Sequence, residues 1–537
     1  MINKQLTAAK EKLLDFFTSR QYRTAILFTA IFSMLANGFA YLNLYPQHDS
    51  VNHMFEFAGT WELSLGRFLL PYFGQLQGQI TMPWLVGLGS IFLISLMVWI
   101  ICDLMDLQEG WQIAAVSGIL SANLCITELA AVFTFTLTVY MLAALLGCLG
   151  AWVLLKRKSF WRYPAAMILF TLSMGLYQAE ILVSVTLLAV AAVKALLAGD
   201  KPGKVILRYI GVAVTLVCAA ALYYLLYQLF LDLHNLEPAD SYNSLSNLQN
   251  VTPEALLVSV QDSYRAFFRF FYGEGCFVGR VLTRSCNIFL TALALILLVI
   301  HFIRHAGRWF SHVLTLLILA VLPGIICLLD IFMSNATLSF YLMLSLYLYD
   351  VLILAVIVHC GKGLFRGWDK LVSLAVAICF FLITAQNVVF SNQIYSYQKI
   401  MYDRATSVAT RILDKMETTE GYVIGETEVI MLGSLRNNKD LSKTLRVDES
   451  LPKTLQGNMG LRELMNESDI HGARLLSITY NQTFDSFAYL LGSEINTLED
   501  TEIVRQYLAM EEVQNMPVYP AAGCCQMIDG RMVVKLS

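Results

Sequence analysis

Long runs of apolar residues, repeated through about residue 390, constrain this chain more than any other feature of its sequence. A helix that crosses a membrane needs roughly 20 mostly apolar residues. The composition agrees, since 57% of the residues are hydrophobic and only 14% are charged, whereas a soluble domain carries about 25% charged residues. The sequence predicts a mainly α-helical, polytopic membrane protein.

About eleven segments qualify as spans. They are 22–44, 82–102, 111–125, 133–155, 163–177, 181–197, 205–231, 286–303, 310–332, 340–360 and 371–390. Lysine and arginine near span ends favour the cytoplasmic side. A cytoplasmic N-terminus places most of them there, for example Lys156, Arg157 and Lys158. An odd number of spans then puts the chain beyond about residue 390 outside.

Two loops and the tail are long enough to carry function. We predict a membrane domain over 1–392, with outer loops 45–81 and 232–285, and an extracytoplasmic α/β domain over 393–537. In the tail, the pattern predicts a helix over 391–416, buried strands over 428–432 and 474–480, and a hairpin over 525–536 around Asp529-Gly530.

The first outer loop is the most unusual stretch. Its apolar residues recur at helical spacing and predict an interfacial helix from residue 54 to residue 65, with Trp61 at headgroup level. Asp49 lies near the expected N-cap, where backbone N–H groups favour an ionised carboxylate. Asp49 is therefore either a helix cap or a functional carboxylate.

Other acidic residues lie in or near the spans. Glu128, Glu180 and Asp330 fall at the same predicted outer depth as Asp49, and each has a structural or a functional interpretation. Asp350 lies within a span, where an ionisable group indicates function or an internal hydrogen-bond partner.

Several function classes receive no support from the sequence. A net charge of −3 and the lack of a basic stripe argue against nucleic-acid binding. The sequence shows no metal-type cysteine spacing, no disulfide framework, no Asp-x-Asp pair and no glycine-rich phosphate loop. We therefore expect no cofactor and no nucleotide-sugar donor, and nothing in the sequence indicates a divalent cation.

Four stretches, taken in order, resemble the bacterial serotype-converting (O-antigen-modifying) glucosyltransferases, which depend on polyprenyl-phosphate sugars and belong to the GT-C class. The stretches are Tyr45…His48-Asp49-Ser50, Trp61…Leu65-Gly66-Arg67-Phe68, Gly175-Leu176-Tyr177-Gln178-Ala179, and Met516-Pro517-Val518-Tyr519-Pro520…Gly523 with Asp529-Gly530…Val533-Val534-Lys535-Leu536. Family members often carry two acidic residues where this chain has His48-Asp49, so only Asp49 is carried over as a carboxylate.

The resemblance implies an inverting transfer of one sugar from undecaprenyl phosphate to a cell-surface polysaccharide outside the bacterial plasma membrane. Glucose is the first choice for that sugar. Because the phosphate is already a good leaving group, one carboxylate suffices as general base, unlike the two of glycoside hydrolases. Asp49 fits the base. Arg67, with Arg280 as second choice, fits a cation that binds the donor phosphate; the alternative for Arg67 is interfacial snorkelling.

The resemblance also implies sugar- or acceptor-binding residues and partners. The binding candidates are His48, Glu56, Trp61, Glu62, Glu128, Tyr177, Gln178 and Glu180. The polyprenyl chain would lie between spans, and the tail domain would hold the polymeric acceptor. A polyprenyl-phosphate-sugar synthase and a flippase would supply the donor.

Two other functions fit the predicted topology. A flippase or transporter of lipid-linked glycan predicts internal repeats and charged or broken helices at mid-membrane. A glycan polymerase or ligase shares the topology and uses pyrophosphate-linked oligosaccharides instead of a monophosphate donor.

Overall fold

The computed structural model describes residues 14–46, 49–53, 59–75, 80–239, 252–273, 281–328, 343–364, 367, 369–433, 438, 481–498 and 500–537. Within these residues the chain is mostly helical and forms two compact units. The first unit comprises 1–43, 57–130 and 134–392, and the second comprises 44–56, 131–133 and 393–537.

The helices up to residue 417 are connected by short turns and by the segments outside the described residues. They are α1 (Arg20–Leu42), α2 (Asp49–Asn52), α3 (Thr60–Ser64), α4 (Leu70–Gln75), α5 (Pro83–Met105), α6 (Gly110–Ser121), α7 (Leu124–Ala131), α8 (Thr134–Lys156), α9 (Arg162–Leu176), α10 (Ile181–Leu197), α11 (Pro202–His234), α12 (Pro253–Tyr272), α13 (Val281–Arg304), α14 (Trp309–Ile326), α15 (Leu348–Gly361) and α16 (Asp369–Glu417). Three 3₁₀ turns join them, at Gln178–Glu180, Ala306–Arg308 and Leu344–Tyr347. The short helix α2 and the C-terminal part of α16 belong to the second unit.

The described part of the chain has nine helices long and apolar enough to cross a membrane, or ten if α6 and α7 together form one bent span. This confirms a polytopic helical protein, and the nine or ten spans among the described residues compare with the predicted count of about eleven. Helix α9 has only 15 residues, which is too short for a straight crossing. The predicted span 111–125 is broken between α6 and α7, which are bent by 42°.

Packing within the first unit relies on close helix contacts at glycine. A side chain at Gly87 would collide with the Tyr41 ring, and one at Gly150 would collide with the Phe170 ring. Small residues let helix backbones approach closely, which is how helices associate where lipid removes most of the hydrophobic driving force. Helices α11 and α14 instead leave large apolar side chains exposed, such as Leu207 and Leu317, as expected of a lipid-facing surface.

The second unit contains a four-stranded sheet near the C-terminus. Its strands are β1 (Glu428–Leu432), β2 (Asn496–Thr497), β3 (Cys525–Ile528) and β4 (Arg531–Lys535), and the described part of the unit also has the helices α17 (Asn481–Leu490), α18 (Thr501–Ala509) and α19 (Glu511–Asn515). The strand order is β2-β1-β4-β3, with β1 parallel to β2 and β4 and with β3 antiparallel to β4.

The sequence predictions for the tail can be compared with this sheet. The predicted strand over 428–432 is confirmed, and so is the hairpin around Asp529-Gly530, where both residues adopt positive φ. The helix predicted over 391–416 is the C-terminal part of the continuous α16. The predicted strand over 474–480 lies outside the described residues.

Both faces of the central strands are covered by apolar side chains. Val429 and Val534 pack into one cluster with α16 and α17, while Ile430 and Val533 pack into another with Tyr507. A strand buried on both faces is expected to be continuously apolar, which explains why the tail strands lack the alternating pattern of a half-exposed sheet.

Replacing Ile430 by valine is expected to lower the free energy of unfolding of the second unit by about 0.5–1.5 kcal/mol, because it removes one methylene from a fully buried site. Hydrogen exchange on the full-length protein should then be faster at the amides of β1 and β4. Ile424→Val is the matched control, since Ile424 is 50% exposed, and its exchange should be unchanged. Equal effects of the two variants would contradict the assigned burial.

Candidate functional site

The structure describes only part of the predicted site. His48, Glu56 and Arg280 lie outside the described residues, as does the side chain of Asp49, whose backbone begins α2 in the second unit. The continuous helix predicted from residue 54 to residue 65 is wrong, because Gly59 has an extended, non-helical backbone and α3 begins only at Thr60.

The loop that carries Arg67 is held by side chains from other elements of the first unit. Tyr227 donates from Oη to the Ser64 carbonyl (2.6 Å), Gln178 donates from Nε2 to the Leu65 carbonyl (2.7 Å), and Tyr223 donates from Oη to the Gly66 carbonyl (3.0 Å). Three successive carbonyls are therefore fixed. Buried carbonyls need such partners. Here the partners also determine the position of the next residue, Arg67.

Gly66 is required for this loop in two ways. Its φ is +90°, which L side chains rarely adopt. A Cβ at this position would also collide with the Tyr223 hydroxyl and the Gln178 amide. The loop can therefore close against Tyr223 and Gln178 only with glycine at position 66.

The Arg67 guanidinium is held against two stacked tyrosines. Its Nη1 donates to the Tyr140 hydroxyl (3.1 Å), and its Cζ lies 4.9 Å from the centre of the Tyr177 ring. The Tyr140 and Tyr177 rings are parallel within 6°, with centres 3.9 Å apart. A cation over an aromatic face is attracted by the ring quadrupole, so the guanidinium is fixed by the protein. A positioned guanidinium is the group that binds a phosphate through two parallel hydrogen bonds.

Several predicted sugar-binding residues make internal contacts. The Gln178 amide also donates to the Tyr223 hydroxyl (2.9 Å), and the Glu62 carboxylate accepts from the Gly59 N–H (2.7 Å). Trp61 is 52% exposed. Gln178 and Glu62 thus shape the Arg67 loop and its preceding helix, and a role of these three in binding sugar stays a prediction.

Three helix interruptions in the first unit each lie next to a buried acid. Glu180 ends the 3₁₀ turn before α10, Asp350 lies in the first turn of α15, and Glu128 is in α7. All three are at most 5% exposed. The Leu124 N–H at the start of α7 donates to the Tyr347 hydroxyl (3.1 Å), so two of the interruptions are in direct contact.

Sequence reasoning missed Tyr140, Tyr223 and Tyr227. All three lie within predicted spans, where the sequence pattern does not distinguish a tyrosine that holds a loop from one that only packs. Tyr223 and Tyr227 are spaced four residues apart on α11, so their hydroxyls lie on one helix face. That spacing was the available signal, and only the fold shows that this face meets the Arg67 loop.

A family model described as glucosyl transferase GtrII matches residues 38–349. The chain belongs to the GtrII family. The match covers more than half of the chain and includes Asp49, Arg67, Tyr177 and Glu180, whereas the β-sheet of the second unit lies beyond it. This confirms the resemblance drawn from the sequence and makes the protein a glycosyltransferase. No curated protein matches this GtrII-family chain, and no solved structure matches it.

Within this GtrII-family protein, Tyr223→Phe is expected to lower transfer several-fold, because the loop that positions Arg67 loses a hydrogen bond to the Gly66 carbonyl. Small misplacements of binding groups have large effects on rate. The stability loss should be about 1 kcal/mol. The measurements are transfer rate and melting temperature in detergent.

The matched control is Tyr209→Phe. Tyr209 also donates from α11 to a backbone carbonyl, that of Leu188 (2.7 Å), but not to the Arg67 loop. Tyr223→Phe should lose somewhat more stability, because the Tyr223 hydroxyl also accepts from the Gln178 amide, and only Tyr223→Phe should lose activity. Equal activity in both would contradict a positioning role for Tyr223.

Proposed function

We propose that this GtrII-family protein transfers a glucosyl residue, with inversion, from a polyprenyl phosphate such as undecaprenyl phosphate to a cell-surface polysaccharide. The observation that carries the proposal is the fixed Arg67 guanidinium, held by Tyr140 and Tyr177 inside the family-matched region. A phosphate on a lipid carrier is the anionic group that such a cation binds well. The proposal places the protein in the GT-C class.

In the proposed reaction, an acceptor hydroxyl oxygen attacks the anomeric carbon as the bond from that carbon to the phosphate oxygen breaks. The polyprenyl phosphate leaves with the bonding electrons, and the hydroxyl proton goes to the Asp49 carboxylate. Arg67, with Arg280 as a second cation, offsets the charge that develops on the leaving phosphate. Because the leaving group is already anionic and stable, no general acid is needed.

The proposed reaction takes place on the extracytoplasmic face of a bacterial plasma membrane, with a cytoplasmic N-terminus. A polyprenyl-phosphate-sugar synthase would make the donor, and a flippase would bring it to that face. The polyprenyl chain would lie between spanning helices, and the second unit would hold an acceptor such as O-antigen or another wall polysaccharide.

The test is transfer of radiolabelled sugar by membranes that contain the wild-type protein. Synthetic polyprenyl monophosphate donors carrying glucose, galactose or N-acetylglucosamine are compared with pyrophosphate-linked oligosaccharides, using isolated surface polysaccharide as acceptor. Transfer from the glucosyl monophosphate alone is expected. Transfer only from the pyrophosphate donor would favour a polymerase or ligase, and transfer from neither would favour a flippase or transporter.

A further inference from the structure

Glu180 is a carboxyl group that is buried in the first unit. It is 2% exposed, and neither of its carboxyl oxygens has a hydrogen-bond partner among the described residues. Buried polar groups are nearly always paired, and an unpaired one is costly enough to need an explanation.

Helix capping does not explain this residue. Glu180 occupies the N-cap position of α10, but its side chain makes no capping hydrogen bond. An acidic side chain at a helix N-terminus is favoured by the helix dipole, so the position suits a carboxylate although the carboxylate does not cap. Its hydrogen-bonding capacity is therefore available to a ligand.

The surroundings of Glu180 are those of a site. The Leu124 N–H at the start of α7 donates to the hydroxyl of Tyr347, in the 3₁₀ turn before α15 (3.1 Å), and the same turn packs against α10, which Glu180 precedes. The start of α7 and the turn before α15 are therefore in contact, and α10 packs beside them. In membrane-spanning proteins, interrupted helices that bring ionisable groups together are typical of substrate sites.

Tyr177 connects Glu180 to Arg67. Tyr177 directly precedes the 3₁₀ turn that ends in Glu180, and its carbonyl accepts from the Glu180 N–H (3.2 Å), while the Arg67 guanidinium lies over the Tyr177 ring. One tyrosine thus has a phosphate-binding cation and an unpaired hydrogen-bond acceptor as neighbours. A ligand that carries hydroxyl groups next to a phosphate has the complementary pattern.

A metal ion is a poorer occupant than a hydroxyl-bearing ring. Among the residues that the structure describes, no three His, Cys, Asp or Glu side chains are grouped to hold a metal. Hydroxyl groups, by contrast, donate directly to a carboxyl oxygen and need no further protein ligand.

We propose that Glu180 accepts hydrogen bonds from hydroxyl groups of the donor hexose and thereby determines which sugar is transferred. The inference rests on the proposed function, because the hexose is the one linked to polyprenyl phosphate. It goes further by assigning sugar selection to one residue among the acids of the first unit.

The test compares glucosyl donors that each lack one hydroxyl group. For wild type, removal of the hydroxyl that Glu180 binds should lower kcat/KM by roughly 10- to 100-fold, because the carboxylate is then left unpaired. In Glu180→Met, kcat/KM for the parent donor should fall by a similar factor, and the penalty for that deoxy donor should disappear. If the variant keeps the wild-type pattern of discrimination, the proposal is overturned.

Thermal stability separates recognition from a structural role. Removing an unpaired buried carboxyl should raise the melting temperature of the ligand-free protein, whereas removing a structural residue should lower it. Ser184→Ala is the matched control. Ser184 lies one turn along the same face of α10, and its hydroxyl is also buried without a partner among the described residues. Ser184→Ala should leave donor selectivity unchanged, and a lower melting temperature in Glu180→Met would overturn the proposal.

Failure of the proposed function gives a different result. If wild type transfers no sugar from any polyprenyl monophosphate, the proposed function is wrong. The role of Glu180 is then tested by binding of the glucosyl donor instead of by transfer. The glucosyl donor should then raise the melting temperature of wild type more than that of Glu180→Met, and equal shifts would overturn the role of Glu180. If wild type transfers glucose but Glu180→Met selects sugars as wild type does, only the inference fails.

Discussion

Replacement of Asp49 by asparagine is expected to reduce transfer by about 10²- to 10⁴-fold, the range that a positioned general base contributes. In the proposed reaction the carboxylate takes the proton of the acceptor hydroxyl, and an amide of the same shape cannot. The loss should appear in kcat, since the acceptor and donor contacts remain. Initial rates with the glucosyl monophosphate donor and isolated polysaccharide measure it.

Asparagine is the informative replacement because it also separates the two interpretations of Asp49. Asparagine and aspartate offer the same side-chain oxygen to backbone N–H groups at a helix N-terminus, and Asp49 is the first residue of α2. A cap would therefore survive the change, and both stability and activity would be retained. Loss of activity at unchanged melting temperature supports the base; full activity would move the base to Glu128 or Glu180.

Replacement of Arg67 by alanine is expected to reduce transfer by about 10²- to 10³-fold, as is typical when a group that stabilises developing charge is removed. Arg67→Lys should recover only part of this loss. A lysine ammonium keeps the charge but lacks the planar fork of donors, and it would have to reach the phosphate without the contacts that Tyr140 and Tyr177 make with the guanidinium. Steady-state kinetics and donor-binding measurements on both variants check this expectation.

Arg162→Ala is the control for Arg67. Arg162 also lies over a tyrosine ring, with 4.6 Å from its Cζ to the centre of Tyr163, and it donates to backbone carbonyls. It is the first residue of α9, whereas Tyr177 follows the last, about 22 Å away along a helix of this length. Arg162→Ala should keep full activity. Equal losses in both variants would show that removing any such arginine harms the fold.

The sequence predicted the class of fold well because that class depends on composition and segment length. A run of about 20 apolar residues indicates a spanning helix whatever its neighbours. The strand over 428–432 and the hairpin at Asp529-Gly530 were also found, because a short apolar run and a two-residue turn are local signals. The error concerns a segment with a weak local signal, the interruption at Gly59. The 15-residue α9 and the bent pair of α6 and α7 correspond to two of the shortest predicted segments.

The candidate site was predicted in part. Arg67, Tyr177 and Gln178 were named from motifs far apart in the sequence, and the fold brings them together around the loop after α3. The sequence could not show that Gln178 holds that loop, nor that Tyr140 and Tyr223 complete it. Such roles depend on which helix faces meet, and an apolar helix carries almost no pattern that marks its buried face.

By itself, the sequence determined that the chain is a polytopic helical protein with a small C-terminal sheet and that it belongs to a glucosyl transferase family. Hydrophobic length and local motifs carry that information. Only the tertiary structure decided that Arg67 is held against the stacked Tyr140 and Tyr177, and that Glu180 is buried without a hydrogen-bond partner among the residues that the structure describes. Both are properties of contacts between residues distant in sequence, and the packing of the whole first unit determines which polar groups find a partner.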